Sequence, residues 1–293
     1  MTRTPRRAAL VQALFVTFLW STSWVLIKVG LEAIPALTFA GLRYVLATLL
    51  LLPLALRGGL FGALRALAAR ERLELALLGV VLYALTQGAQ FVALALLPAA
   101  TVSLVLSFTP VLVAGLATAT LREPLTRGQW LGVGLAAGGA LVYFGAAAWP
   151  SGRWAGLTVA TVGLFANALA AVLGRAVARR GTLRPLDVTV SSMAVGATLL
   201  LAVGVGVQGL PALDAQGWAI VTWLAVVNTA LAFVLWNRSL RGLSATESSV
   251  VNNTMLVQIA LLAWLVLREP ISAGGWTGIA LVVAGTLTVQ LRR

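Results

Sequence analysis

Ten apolar runs follow one another along the chain, separated by short clusters of arginine, proline and glycine. A bilayer core about 30 Å thick needs roughly 20 apolar residues at 1.5 Å of helical rise each. Cutting the chain at charges, prolines and turn residues predicts spans at 10–29, 36–56, 74–96, 99–121, 127–147, 154–176, 186–207, 217–237, 244–267 and 273–291. Connections such as Leu97-Pro98 and Glu269-Pro270 are very short, so consecutive spans are expected to be antiparallel neighbours. The predicted fold class is an all-α integral membrane protein of ten transmembrane helices.

The chain also repeats itself. Leu121-Arg-Glu-Pro-Leu-Thr-Arg-Gly-Gln-Trp-Leu-Gly132 returns as Leu267-Arg-Glu-Pro-Ile-Ser-Ala-Gly-Gly-Trp-Thr-Gly278, 146 positions later. Ten of 22 positions are identical between 121–142 and 267–288 without a gap. This predicts two five-helix repeats, 1–148 and 149–293. Five is odd, so the second repeat is expected to be inverted in the membrane. Inverted repeats are a common plan of secondary transporters, whose substrate site lies near the midplane between the halves.

Composition agrees with lipid as the solvent. Hydrophobic residues make up 60% of the chain and charged residues 10%, against about 25% charged in soluble domains. The net charge of +13 does not point to nucleic acid, because the basic residues fall in gaps between apolar runs rather than on one face. With the N-terminus in the cytoplasm, 17 of the 21 Lys and Arg face inside, while Arg153 and Arg268 face outside and Lys28 and Arg43 lie in spans. That bias predicts cytoplasmic termini. The run from Ala8 to Ile27 is too long for a signal-peptide core and reads as the first span. No cysteine or histidine is present, which removes disulfides, thiol nucleophiles and His-based catalysis.

Thr109-Pro110-Val111 leading into Leu121-Arg122-Glu123-Pro124, then Trp130, Gly132 and Gly139, resembles the signature half of the EamA family of the drug/metabolite transporter superfamily. Trp20-Ser21-Thr22-Ser23-Trp24 through Lys28 is similar to the end of its first span, and Leu42-Arg43-Tyr44 to its second. The resemblance implies ten spans, cytoplasmic termini, and a cavity lined by spans 1, 3, 4, 6, 8 and 9. It also implies export of amino acids, notably aromatic ones, or of other metabolites. Leu256 stands where Pro110 has its counterpart, so the proline pattern leaves open whether spans 4 and 9 kink alike.

Candidate site residues come from polar and aromatic side chains inside spans, where burial in lipid is costly. Tyr83, Gln87 and Gln90 follow helical spacing along span 3 and are expected on one cavity face. Span 9 carries Ser248, Ser249, Asn252 and Asn253, whose span 4 counterparts include Ser103 and Ser107. A zwitterion or other polar solute is expected there, with interhelical hydrogen bonding as the competing role. Asn167 and Asn228 add isolated polar groups, and Trp20, Trp24 and Trp223 are aromatic cavity candidates. Pro110, inside span 4, would clash with the Leu106 carbonyl and reads as a static kink or as a hinge. Lys28 and Arg43 are expected to snorkel or pair structurally, over the alternative of attracting a substrate carboxylate. Trp149, Trp154, Trp218 and Trp276 look like interfacial belt residues. Gly132, Gly134, Gly138 and Gly139 do not match a nucleotide-binding spacing and predict close helix packing.

No carboxylate falls deep in any span, so facilitated diffusion or exchange is expected over proton coupling, with Glu247 the nearest ionisable candidate. Glu123 and Glu269 are expected to build turns and helix starts. No catalytic set, metal site or cofactor is expected. The predicted function is export of amino acids or similar metabolites across the bacterial cytoplasmic (inner) membrane by alternating access. Drug or toxic-metabolite efflux is the alternative, and a channel or intramembrane enzyme stands behind it. The expected partners are a small-molecule substrate and the lipid bilayer, with a monomer as the working state and a dimer as its alternative.

Overall fold

A computed structural model describes residues 6–145, 152–267 and 271–291. The second Arg-Glu-Pro turn and Trp149 therefore lie outside the described residues. Among the described residues, fifteen α-helices run α1 (Arg6–Gly30), α2 (Ala36–Arg57), α3 (Leu60–Arg65), α4 (Ala69–Gly79), α5 (Gln87–Leu96), α6 (Ala99–Leu106), α7 (Thr109–Leu121) and α8 (Arg127–Phe144). They continue as α9 (Trp154–Arg180), α10 (Pro185–Gln208), α11 (Ala215–Ala225), α12 (Ala232–Ser239), α13 (Ala245–Asn253), α14 (Met255–Leu267) and α15 (Ala273–Leu291). No strand occurs among the described residues.

Among the described residues, seven stretches are long and apolar enough to cross a membrane by length and composition: 6–30, 36–57, 69–96, 101–121, 154–180, 185–208 and 215–239. At the other three predicted spans stand α8, the α13–α14 pair and α15. Large apolar side chains point away from the bundle, among them Phe15, Leu49, Leu73, Phe165 and Val207. Hydrocarbon is the solvent that suits such a surface, while helices keep their own backbone groups bonded inside it.

Local chemistry sets the helix ends. Thr126 caps α8 and Ser244 caps α13, each in a reciprocal box with Gln129 and Glu247. Asp214 caps α11 through the Gly217 amide at 2.7 Å. Gly181 closes α9 at φ +65°. Arg122 ends α7 at φ +52°, with its amide and that of Glu123 both donating to Ala117 O before Pro124 stops the helix.

Two kinds of irregularity recur at the repeat spacing. Wide π-helical turns occupy Val80–Thr86, between α4 and α5, and Val226–Leu231, between α11 and α12. Their first residues are 146 positions apart. Breaks at Ser107–Phe108 and at Thr254 split spans 4 and 9 into α6–α7 and α13–α14. This corrects one expectation and answers a question the sequence left open. Pro110 does not kink a continuous helix: it is in the first turn of α7, where its missing N–H is no loss. The Leu106 carbonyl accepts instead from the Thr109 hydroxyl at 2.6 Å. Span 9 breaks at the counterpart position without a proline, and the Thr254 hydroxyl donates to Val251 O at 2.6 Å. Hydroxyls that bond back to the preceding turn bend helices on their own.

The two most extensive helix pairs are α8 with α15 and α2 with α10. A Cβ on Gly132 would lie 2.7 Å from Gly285 O, and one on Gly139 would lie 2.7 Å from Gly278 O. The two helices therefore run antiparallel at backbone contact. Gly132 and Gly278 are counterparts at the repeat spacing, as are Gly139 and Gly285, so each glycine meets the partner of the other. Gly134 and Gly138 meet nothing within 4 Å.

Candidate functional site

One cavity gathers side chains from α1, α2, α5, the two broken pairs, α9 and α12. Its aromatic wall is Trp20 and Trp24 from α1, Tyr44 from α2, and Phe233 and Trp236 from α12. Trp20 packs 5.1 Å, ring centre to ring centre, from both Phe233 and Trp236. Its indole nitrogen donates to Asn228 O at 3.1 Å, which fixes the ring plane.

The polar wall comes mainly from the broken helices. Ser103, Ser107 and Pro110 line the cavity from α6–α7, and Ser249, Asn252 and Asn253 line it from α13. Gln87 and Gln90 of α5 and Asn167 of α9 join them. Asn167 Nδ2 donates to Thr109 Oγ1 at 3.2 Å, which ties α9 to the start of α7. Ser249 Oγ, Asn252 Oδ1 and Asn253 Nδ2 are buried without a hydrogen-bond partner. Leaving a buried donor or acceptor unmade costs about 1–3 kcal/mol, so these atoms favour a polar guest.

Three sequence candidates lie elsewhere. Tyr83 is fully buried against Tyr44 and Phe233, beside Ser192, and does not line the cavity. It sits within the π-helical turn, which holds more residues than an α turn and rotates it off the Gln87–Gln90 face. Trp223 is 55% exposed on the outer surface of α11. Asn228 is fully buried and bonds α1, with Nδ2 donating to Leu19 O and, at 3.1 Å, to Thr22 Oγ1. Its role here is to hold α1 against the second π turn.

Of the two expected roles, snorkelling and structural pairing, Arg43 follows the second, bonding Thr229 and Asn228. It does not snorkel: it is 3% exposed and lines the cavity with its neighbour Tyr44, so span 2 joins the six spans expected there. The one signal in the sequence was a charge within an apolar run. Phe233 and Trp236 were also missed as lining residues, since aromatics in apolar helices usually pack, and Asn237 was missed at the very end of predicted span 8. Lys28 donates to the carbonyls of Leu94 and Leu97, the latter at 3.0 Å, and so caps the end of α5. Trp154, Trp218 and Trp276 are exposed, as belt residues would be.

On the side away from Lys28, Arg175 donates to Leu240 O at 2.7 Å, at the end of α12. Leu94 and Leu240 are counterparts at the repeat spacing. Arg175 also pairs with Glu123 at 3.1 Å, and Arg179 approaches the same carboxylate at 3.6 Å. Glu123 Oε2 accepts from the Ala245 amide at 3.3 Å, at the start of α13. Glu247 is fully buried, accepts from Arg6 at 2.7 Å and caps Ser244 N at 2.8 Å. Both glutamates thus anchor helix ends. Among the described residues no group of His, Cys, Asp and Glu could hold a metal ion.

The sequence model of the EamA-like transporter family matches this chain twice, over residues 7–145 and 154–291. The "Uncharacterized inner membrane transporter YedA" of Escherichia coli strain K12 is 27% identical over 290 residues, covering 95% of this chain and 90% of YedA. The "Uncharacterized transporter YyaM" of Bacillus subtilis strain 168 is 26% identical over 195 residues, covering 64% of this chain. That match spans 63% of YyaM's length. A "Putative permease-like protein YdzE" of the same strain is 36% identical over 67 residues, 23% of this chain and 86% of YdzE. A solved crystal structure, 19% identical, superposes with a TM-score of 0.78 over 97% of both chains, a likeness of fold.

Proposed function

Because the chain belongs to the EamA-like transporter family, a family of carriers and not of enzymes, we propose that it is a secondary carrier of amino acids or similar small metabolites, working through the central cavity. The observation that carries this reading is the polar wall made by the broken helices α6–α7 and α13–α14. Discontinuous helices near the bilayer midplane are where secondary transporters hold substrate. The unpaired atoms of Ser249, Asn252 and Asn253 supply hydrogen-bonding capacity there, and Trp20 and Trp24 supply apolar surface.

The multi-pass chain is read as ten spans in two inverted repeats, 1–148 and 149–293. The doubled family match, the paired π turns, the paired breaks and the reciprocal glycine contact between α8 and α15 all support that plan. The arginine bias supports cytoplasmic termini. The likeness to YedA, an inner membrane transporter, supports the inner membrane. A single chain walls the cavity, so a monomer suffices for transport. Alternating access would open and close the Arg175–Glu123 link, which joins the two repeats on one side. The described cavity wall carries no carboxylate, so exchange or facilitated diffusion is favoured over proton coupling.

Counterflow tests the reading. Liposomes holding the purified protein are preloaded with unlabelled amino acids and given a labelled trace outside. Transient accumulation of the label is expected for neutral amino acids. Steady conductance without counterflow would make the protein a channel. Accumulation of drugs, nucleosides or sugars alone would replace the amino-acid reading with the efflux one.

A further inference from the structure

Arg43 is a buried cation whose partners do not balance its charge. Nε donates to Thr229 Oγ1 at 2.6 Å and Nη2 to Asn228 O at 3.1 Å, both neutral acceptors. The guanidinium carbon lies 5.1 Å from the centre of the Tyr44 ring and 5.9 Å from that of Phe91. The ion pairs among the described residues engage other arginines. Described carboxylates outside those pairs are Glu71, which caps Ala68, Asp214, which caps Gly217, and exposed Glu32.

Bracing α2 against the second π turn explains the two hydrogen bonds but not the charge. A neutral glutamine could make two such bonds without the penalty of taking a cation out of water. Arg43 still has three of its five N–H donors uncommitted by these bonds, and it is the one charged side chain on the described cavity wall. In a water-poor site that single charge sets the sign of the potential.

We propose that Arg43 is a specificity-determining residue that pairs with a carboxylate on the transported solute. One guanidinium meets one carboxylate, whereas a phosphate dianion would bring a second negative charge for which the described wall has no cation. If the solute also carries an ammonium group, the neutral oxygens of Ser249 and Asn252 receive it, since the described wall has no carboxylate. The carrier then accepts zwitterions and monocarboxylic acids and rejects the matching amides and amines. This proposal rests on the carrier reading above.

The test is counterflow with matched solutes: amino acids, their amides, their decarboxylated amines, and simple monocarboxylic acids. Wild type is expected to favour the carboxylates over the amides by about tenfold or more, the scale of one charge-assisted hydrogen bond. Arg43→Gln is expected to bring that ratio close to one while remaining monodisperse in detergent. Arg43→Lys keeps the charge and loses the fork, so it should retain the preference at reduced size. If Arg43→Gln does not fold, the wild-type ratio and the lysine variant decide. Equal transport of amides and acids by wild type, or an undiminished preference in a folded Arg43→Gln, overturns the role of Arg43 and leaves the carrier intact. Counterflow of no solute at all overturns the carrier reading and this proposal with it.

Discussion

Single residues in this protein are read by what their polar atoms touch. Asn252 and Gln87 line the cavity, and Asn252 Oδ1 has no protein partner there. Asn228 is equally polar and its Oδ1 is also unbonded among the described residues, yet it does not line the cavity and its Nδ2 is spent on Leu19 and Thr22. Asn252→Ala or Gln87→Ala should each slow counterflow by about three- to tenfold, the worth of one neutral hydrogen bond. Trp223→Leu, on the outer surface, should leave the rate unchanged in the same assay. An equal loss in Trp223→Leu would mean that the outer face of α11, not the cavity, governs flux. Glu247 belongs to this scale too: it is buried because it both pairs with Arg6 and caps α13, which are structural duties.

At the scale of elements, close backbone approach and helix breaks matter more than side-chain identity. The α8–α15 crossing leaves no room for a side chain at Gly132 or Gly139, whose neighbours across the interface are backbone atoms together with Val289 Cγ2 and Leu281 Cβ. Membrane helices associate through such small-residue contacts, since lipid offers no hydrophobic drive between them. Gly139→Leu should therefore destabilise the protein by about 1–3 kcal/mol or more, as overpacking does. Thermal unfolding in detergent would register it, with Gly134→Ala as a silent control because nothing lies within 4 Å. Pro110→Ala should keep both fold and counterflow, since α7 begins before it and Thr254 makes the matching break with no proline. Loss of counterflow in a folded Pro110→Ala would return the hinge to the proline itself.

For the molecule as a whole, the proposed carrier mechanism has the two proposed repeats part on one side at a time. Arg175 and Glu123 fall on either side of the proposed repeat boundary, and the carboxylate also holds the start of α13. Glu123→Gln weakens this link while keeping a hydrogen-bonding side chain. The natural chain has no cysteine, so one placed at Ser249 reports cavity access alone. A membrane-impermeant thiol reagent applied from the cytoplasmic face should label Ser249→Cys several-fold faster once Glu123→Gln is added, the scale of a weakened partly buried ion pair. Unchanged labelling would mean the link does not hold that side shut.

The sequence by itself determined where the helices lie, because lipid demands apolar windows of a set length. It also determined the repeat, the arginine asymmetry and most of the polar wall, because each polar residue in an apolar run is a visible expense. Rotation and partnership were decided only in three dimensions. The π turn moved Tyr83 off its expected face, and packing turned Trp223 outward and Asn228 inward. Gly132 and Gly139 announced a close contact, but only the assembled bundle paired them with Gly285 and Gly278. Arg43 shows the same limit most clearly. Its charge was legible as an oddity in span 2, whereas its place in the cavity wall depends on residues 185 and 186 positions away that no local pattern contains.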